Sequence, residues 1–332
     1  MDRAVHVVDE RMGAESAYAL AAFLRGGDSG GGRVVSVGPA PRGLTWAPVA
    51  VLPAYGTLLE RARWFGVRMG GGLAKHCGGA SAVHCWSVSA MTYAADLALD
   101  CACPLTLHLP SACAATGCNL ARWEATLCGG RDEIAFGVTV PASPSAERLI
   151  ADGLSPEAVT VWPPAALSSD ERDGCPRDER RRLSRRALGV TDDTRLIVAP
   201  DEMVRAAGLK FAVWAHAILR HVTPRVRLCM PSAGPGLATL RHFAEAAGFS
   251  DEILWPRAEI GLTDALSAAD VAAFVREDDL GLSVPATARA MNLPILATDT
   301  PDVRNFLNGQ ANIVPIKDPR QMATALLNML GL

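Results

Sequence analysis

The sequence predicts an α/β protein made of two parallel-sheet domains of similar size. Short apolar runs alternate with helical segments along nearly the whole chain, the pattern of parallel strands covered on both faces by helices. The alternation breaks once, at a charged stretch near the middle, and then restarts. The length of 332 residues suits two domains at about 100–200 residues each.

In chain order, His6-Val7-Val8 is the first strand, and Glu15 to Leu24 a helix ended by Gly26-Gly27. Arg33 to Val37 is the second strand, closed by Gly38-Pro39. Val49 to Pro53 is the third, followed by a helix over Leu58 to Phe65. Ala82 to Trp86 is the fourth, and the helix from Ser89 to Leu99 is alanine-rich and apolar on most faces, which predicts burial. Leu105 to Leu109, stopped by Pro110, is the fifth strand, and Ala135 to Val140 the sixth. Ser145 is expected to cap a helix that ends at Asp152-Gly153, and Val159 to Trp162 is the seventh strand, before Pro163-Pro164.

Residues 166–186 read as a linker and a charged helix start between domains at 1–165 and 187–332. Acids at the start and arginines at the end suit a helix dipole, so a solvated helix is expected there rather than a basic binding patch. The second domain then runs strand Arg195–Ala199, helix Lys210–His221, strand Val226–Met230, helix Leu237–Ala247 and strand Ile253–Trp255. Helix Leu262–Ala268, strand Val271–Val275, helix Val284–Asn292 and strand Ile295–Thr298 follow. A helix near Val303, a strand over Ile313–Ile316 and a helix over Pro319–Leu330 close the chain.

Composition narrows the function. A net charge of −3 provides no global positive field for a nucleic-acid backbone or an anionic membrane. Aromatics are only 5%, too few for base-stacking platforms, so no nucleic-acid partner is expected. No run reaches the roughly 18 apolar residues of a membrane span, and peripheral membrane contact is left open. Met1 to Asp9 lacks a signal peptide's apolar region, so a cytoplasmic location is expected. Five of the nine cysteines crowd between Cys101 and Cys128, but Cys101-x-Cys103 and Cys113-x(4)-Cys118 miss the spacing of thiolate zinc sites. They read as small buried thiols of a reducing compartment, with no metal. Neither a G-x-x-x-x-G-K-[ST] loop, a G-x-G-x-x-G turn after the first strand, a G-x-S-x-G elbow nor H-E-x-x-H is present. Nucleotide triphosphatase, dinucleotide dehydrogenase, serine hydrolase and zincin all lose support.

Two loops after second-domain strands could carry chemistry. Asp201 to Lys210 brings Arg205 and Lys210 to the start of a helix, where two cations beside a positive helix end can hold a diphosphate. Arg276 to Pro285 places acids before Gly281, with Ser283 as the expected N-cap and Pro285 in the first turn. Free backbone N–H groups there could take a phosphate, and the acids could accept hydrogen bonds from sugar hydroxyls.

From about His6 to Leu330, the chain resembles a GT-B glycosyltransferase of the family-four type. Met12-Gly13-Ala14-Glu15 resembles that family's Gly-Gly-Ala-Glu turn, and Ser145 to Pro164 the segment that ends its first domain. Arg205 and Lys210 resemble its cation pair on the donor diphosphate, Leu266 to Val271 the lead-in to a strand, and Ala288 to Ala297 its helix and strand after the donor loop.

The resemblance implies two Rossmann-like domains facing a cleft, with the acceptor side first and the nucleotide-sugar donor side second. It further implies a retaining, metal-independent hexosyl transfer without a cofactor, from a nucleotide-sugar to an acceptor that the sequence does not name. Closure would hinge near residues 165–175. His108 then matches a histidine that faces the sugar, and Asp279 shares the catalytic position. Arg205, Lys210, Gly281, Leu282, Ser283, Thr287, Trp255 and Arg257 fall on the donor side, with Gly13 and His84 on the acceptor or phosphate side. Where the family carries Glu, seven residues and Glu, this chain has Asp279 and Thr287, and a threonine cannot grip a ribose diol with two acceptor oxygens. The alternative is a catalytically degenerate GT-B binding or scaffold protein.

Overall fold

A computed structural model describes residues 4–25, 32–39, 49–52, 77, 79–129, 133–164, 166, 175–255 and 260–332. The helix expected over Leu58–Phe65, residue Arg257 and nearly all of the expected hinge lie outside the described residues. The chain divides into two compact units, Met1–Pro164 and Ala165–Leu332.

In the first unit, strands β1 (Ala4–Asp9), β2 (Arg33–Val37), β3 (Val49–Leu52), β4 (Ala82–Cys85), β5 (Leu105–His108), β6 (Phe136–Val140) and β7 (Val159–Val161) form one sheet. Its order is β3-β2-β1-β4-β5-β6-β7, and every pairing is parallel. Helices α1 (Ala14–Arg25), α2 (Met91–Cys101), α3 (Leu120–Cys128) and α4 (Ser143–Ala151) connect it. As its composition predicts, α2 is buried on most faces, from Met91 through Ala98 apart from Thr92.

Two features differ from the sequence reading. Helix α3 carries only two buried residues, Leu120 and Leu127, so its apolar period is too sparse to signal a helix. Its usable mark is Asn119, whose side chain accepts the Arg122 N–H at 2.9 Å. Ser145 lies inside α4 rather than at its N-cap, which is Ala142. The Ser145 hydroxyl instead accepts the Ala112 N–H at 2.9 Å and ties the turn after β5 to α4.

In the second unit, β8 (Arg195–Val198), β9 (Val226–Cys229), β10 (Ile253–Leu254), β11 (Val271–Phe274), β12 (Ile295–Thr298) and β13 (Asn312–Val314) form an all-parallel sheet in the order β10-β9-β8-β11-β12-β13. Its helices are α5 (Arg177–Leu188), α6 (Leu209–Val222), α7 (Leu237–Ala246), α8 (Leu262–Ala268), α9 (Ser283–Ala290), α10 (Pro301–Leu307) and α11 (Pro319–Leu330). Strands β11 and β12 are buried at every residue, as parallel strands with both faces covered must be.

The charged helix α5 is not simply a solvated face. Arg181 reaches Asp270 Oδ1 at 2.8 Å. The buried Arg185 reaches Asp270 Oδ2 at 3.4 Å and donates to the carbonyls of Ala268 (3.0 Å) and Thr191 (2.7 Å). Asp270 Oδ2 also accepts the Leu196 N–H at 2.7 Å, so one carboxylate joins α5 to the starts of β8 and β11.

The cysteines are likewise less uniform than expected. Cys77, Cys85, Cys103 and Cys229 are buried, Cys101, Cys113, Cys118 and Cys175 are half-buried, and Cys128 is exposed; none is in a disulfide. Burial pushes the Cys85 thiol up to about 12 and that of Cys103 up to about 11. Among the described residues, no three His, Cys, Asp or Glu side chains are grouped to hold a metal ion, and no helix is long and apolar enough to cross a membrane.

Candidate functional site

In an open parallel sheet, ligands bind beyond the carboxyl ends of the strands, where the strand order reverses. In the second unit that point lies between β8 and β11, which are hydrogen-bonded neighbours. The two loops singled out in the sequence follow these two strands, so the topology brings them together.

Gly208 joins the loops. It precedes α6 at φ 61°, a left-handed conformation that glycine adopts at little cost. A Cβ here would stand 2.1 Å from the Val275 carbonyl oxygen, which is backbone and cannot swing away. The Glu277 N–H donates to the Ala206 carbonyl at 2.7 Å and closes the same junction. Gly208→Ala should therefore cost about 2–4 kcal/mol, from left-handed strain plus displacement of the loop after β11. A urea unfolding midpoint unchanged from wild type would show that the loops do not meet this closely.

The cations occupy the rim. Arg205 is exposed, in a single 3-10 turn before Gly208. Lys210 lies in the first turn of α6, its Nζ 3.2 Å from Glu277 Oε1. Glu277 Oε2 also meets Lys317 Nζ at 3.0 Å, in the turn after β13. Burial alone would raise the Glu277 carboxyl, but its hydrogen bonds to Lys317 and Lys210 hold it below the usual carboxylate range. Beneath the rim, Arg276 is fully buried and paired with Asp201 through Nε–Oδ contacts of 3.0 Å and an Nη2–Oδ1 contact of 2.5 Å. Its other nitrogen donates to the Gly281 carbonyl. Neither Glu277, Arg276 nor Lys317 was singled out from the sequence. The first two lie in the acidic turn already flagged there, whereas nothing in the local sequence marks Lys317.

The remaining donor-side residues are placed as follows. Gly281 has φ 123° and directs its carbonyl to Arg276. Leu282 is the N-cap of α9, and Ser283, expected to be the cap, is its first helical residue. Thr287 is fully buried, with its hydroxyl donating to the Ser283 carbonyl at 2.8 Å. Asp279 is buried, and its Oδ1 accepts the Asp302 N–H at 3.2 Å, in the first turn of α10. Burial raises its carboxyl above the ordinary value, opposed by hydrogen bonds from Thr300 and Asp302. Trp255 follows the edge strand β10, where its indole N–H donates to Ser250 at 3.3 Å and the Arg241 guanidinium lies over its ring at 5.4 Å.

In the first unit, Gly13 sits in the turn between β1 and α1, where its carbonyl accepts the Ala17 N–H at 3.1 Å. His84 and His108 belong to a larger cluster. Parallel register sets His6 opposite His84 and His108 opposite Thr139, on one face of the sheet. The His6 and His84 rings stack at 5.0 Å, His84 and His108 at 5.1 Å, and Trp86 covers His108 at 4.0 Å. His84 Nδ1 lies 2.9 Å from His108 Nε2, and Thr139 Oγ1 2.7 Å from His108 Nδ1. The Trp86 N–H donates to His6 Nδ1 at 3.2 Å, which fixes the His6 proton on Nε2. Burial, then the neighbouring imidazoles, lowers His6 to about 3 and His108 well below its ordinary value, and burial lowers His84. These imidazoles are neutral, so His108 can offer or accept a hydrogen bond but brings no positive charge. The Ser111–Gly117 loop after β5 borders a cavity of about 400 Å³ whose polar lining includes Thr116, Asn119, Arg148 and Asp152.

No protein-family model matches the chain, and no curated protein sequence matches it. Solved structures do. The Anabaena HepE protein in complex with UDP-glucose is 13% identical, with a TM-score of 0.75 over 99% of this chain and 89% of that one. A glycosyltransferase from Rickettsia africae is 13% identical, with a TM-score of 0.70 over 99% and 88% of the two chains. WaaG, a glycosyltransferase involved in lipopolysaccharide biosynthesis, is 15% identical, with a TM-score of 0.65 over 99% and 90%. The fold expected from the sequence is thus the fold found: two parallel-sheet α/β units of the GT-B class.

Proposed function

We propose that the chain is a glycosyltransferase that moves a hexosyl group from a nucleoside-diphosphate sugar to an acceptor, with retention, without a bound metal and in the cytoplasm. The observation that carries this reading is the meeting of two loops at the β8/β11 switch point, closed by Gly208 and rimmed by Arg205 and Lys210. Negative charge develops on the diphosphate as the sugar leaves, and cations fixed beside a helix start would stabilise it there. The likeness to a protein solved with UDP-glucose supports a nucleotide-sugar as the donor.

A second reading, a GT-B module that binds without transfer, is favoured by two contacts. Thr287 spends its hydroxyl on its own helix, and Asp279 spends a carboxylate oxygen on the start of α10.

Calorimetric titration with UDP, GDP and ADP, then with their hexose conjugates, separates the readings. One nucleotide should bind saturably, and changing both Arg205 and Lys210 to Ala should weaken it by about tenfold or more, since a hydrogen bond to a charged group is worth ~1.5–3 kcal/mol. Equal affinity in the double variant would remove the donor site. No binding by the wild type would leave the module reading.

A further inference from the structure

Lys317 stands in the turn after β13 at φ 64°. A lysine held in the left-handed region carries a cost that glycine or asparagine would escape, so the position asks what the side chain contributes. Its ammonium reaches Glu277 Oε2 at 3.0 Å, while Lys210 reaches Oε1 of the same carboxylate at 3.2 Å. Glu277 is only 14% exposed, whereas Lys317 and Lys210 are 58% and 48% exposed. An exposed ion pair contributes little to stability, too little to account for the backbone conformation.

We infer that Lys317 is a further donor-binding residue, a second ammonium on the diphosphate, and that Glu277 positions it beside Lys210. The inference rests on the donor-site reading given above. One carboxylate serves two ammonium groups, leaving one positive charge in excess. Each ammonium has three N–H donors and faces one oxygen of Glu277 as an ion pair, which can engage only part of them. The donors left over belong to two half-exposed side chains held by the two oxygens of one carboxylate. Two cations spaced in this way suit two linked phosphates better than one. The pair would therefore select a nucleoside diphosphate over a monophosphate.

Because all strands are parallel, the turn after β13 opens on the same edge of the sheet as the loops after β8 and β11. The anchor is firm on the Glu277 side, since its own N–H is bonded to the Ala206 carbonyl at the Gly208 junction.

Lys317→Gly tests the assignment without endangering the fold, because glycine suits this backbone. The full-length variant should unfold at the same temperature as wild type or higher. Titrated with UDP, GDP and ADP and with UMP, GMP and AMP, it should lose about tenfold in affinity for the diphosphate that the wild type binds and less than about twofold for the matching monophosphate. Lys317→Arg should recover most of the loss. Glu277→Gln should lower the ratio of diphosphate to monophosphate affinity, and a higher ratio would mean that Glu277 competes with the ligand rather than positioning the lysines. Wild-type diphosphate affinity in Lys317→Gly would overturn the role of Lys317 and leave the donor site standing. A wild type that binds none of these nucleotides would overturn both.

Discussion

Arg276→Met is expected to destabilise the second unit by about 3–5 kcal/mol, seen as a lower denaturant midpoint, and to abolish nucleotide binding. Arg276 has no solvent exposure, and Asp201 beneath it is 2% exposed. Removing the guanidinium strands a buried carboxylate and frees the Gly281 carbonyl, which is the larger part of the cost. The pair spans the loops after β8 and β11, so the turn leading into α9 loses its anchor together with the stability. Adding Asp201→Asn to the variant should recover part of the stability, because the stranded charge is gone. A loss below about 1 kcal/mol in Arg276→Met would show that water reaches Asp201.

The second large effect is acid sensitivity of the first unit. The folded pKa of His6 is lowered to about 3 and that of His108 well below its ordinary value, whereas both return to 6.5 on unfolding. Below pH 6.5 the unfolded chain therefore takes up protons that the folded one refuses. The stability tied to these groups is complete above 6.5 and falls with pH, by ~1.4 kcal/mol per unit for each histidine. At pH 5 His6 alone should cost ~2 kcal/mol, and His108 and His84, shifted the same way, add to it. Thermal melting from pH 7.5 to 5 should show the first unit failing first. In the second unit, His216 is lowered to about 4, mainly by burial. His108→Asn should flatten the acid limb, and a melting temperature level across this range would contradict the cluster's neutrality.

The strands were legible because parallel strands buried on both faces are continuous apolar runs, and those runs survive in sequence as in β11 and β12. Helix α11 was legible at both ends: the Asp318 side chain accepts the Gln321 N–H, Pro319 follows it, and Gly331 takes the left-handed cap. Helix α3 was not, because two buried leucines give no period. Ser145 and Ser283 look like caps, yet each sits inside its helix, since cap identity depends on where the backbone turns and not on residue type alone. Arg185 reads as one arginine in a solvated run, and only the packing of α5 against α8 shows it buried on Asp270.

The candidate site was half legible for a related reason. Arg205, Lys210 and Gly281 carry local signals in their own loops. Lys317 carries none, because its meeting with Glu277 depends on strand order across the sheet and on reach in space.

The Asp270 junction also bears on folding autonomy. A single carboxylate takes hydrogen bonds from the first strand of the second sheet and from two arginines of the helix that precedes it. A polypeptide beginning at residue 187 would keep every strand of that sheet and still leave Asp270 without either guanidinium. A piece of the second unit that keeps this junction and its helix therefore begins no later than Arg177, and the arginine-rich run that looks like a tether is the first part of the body it leads to.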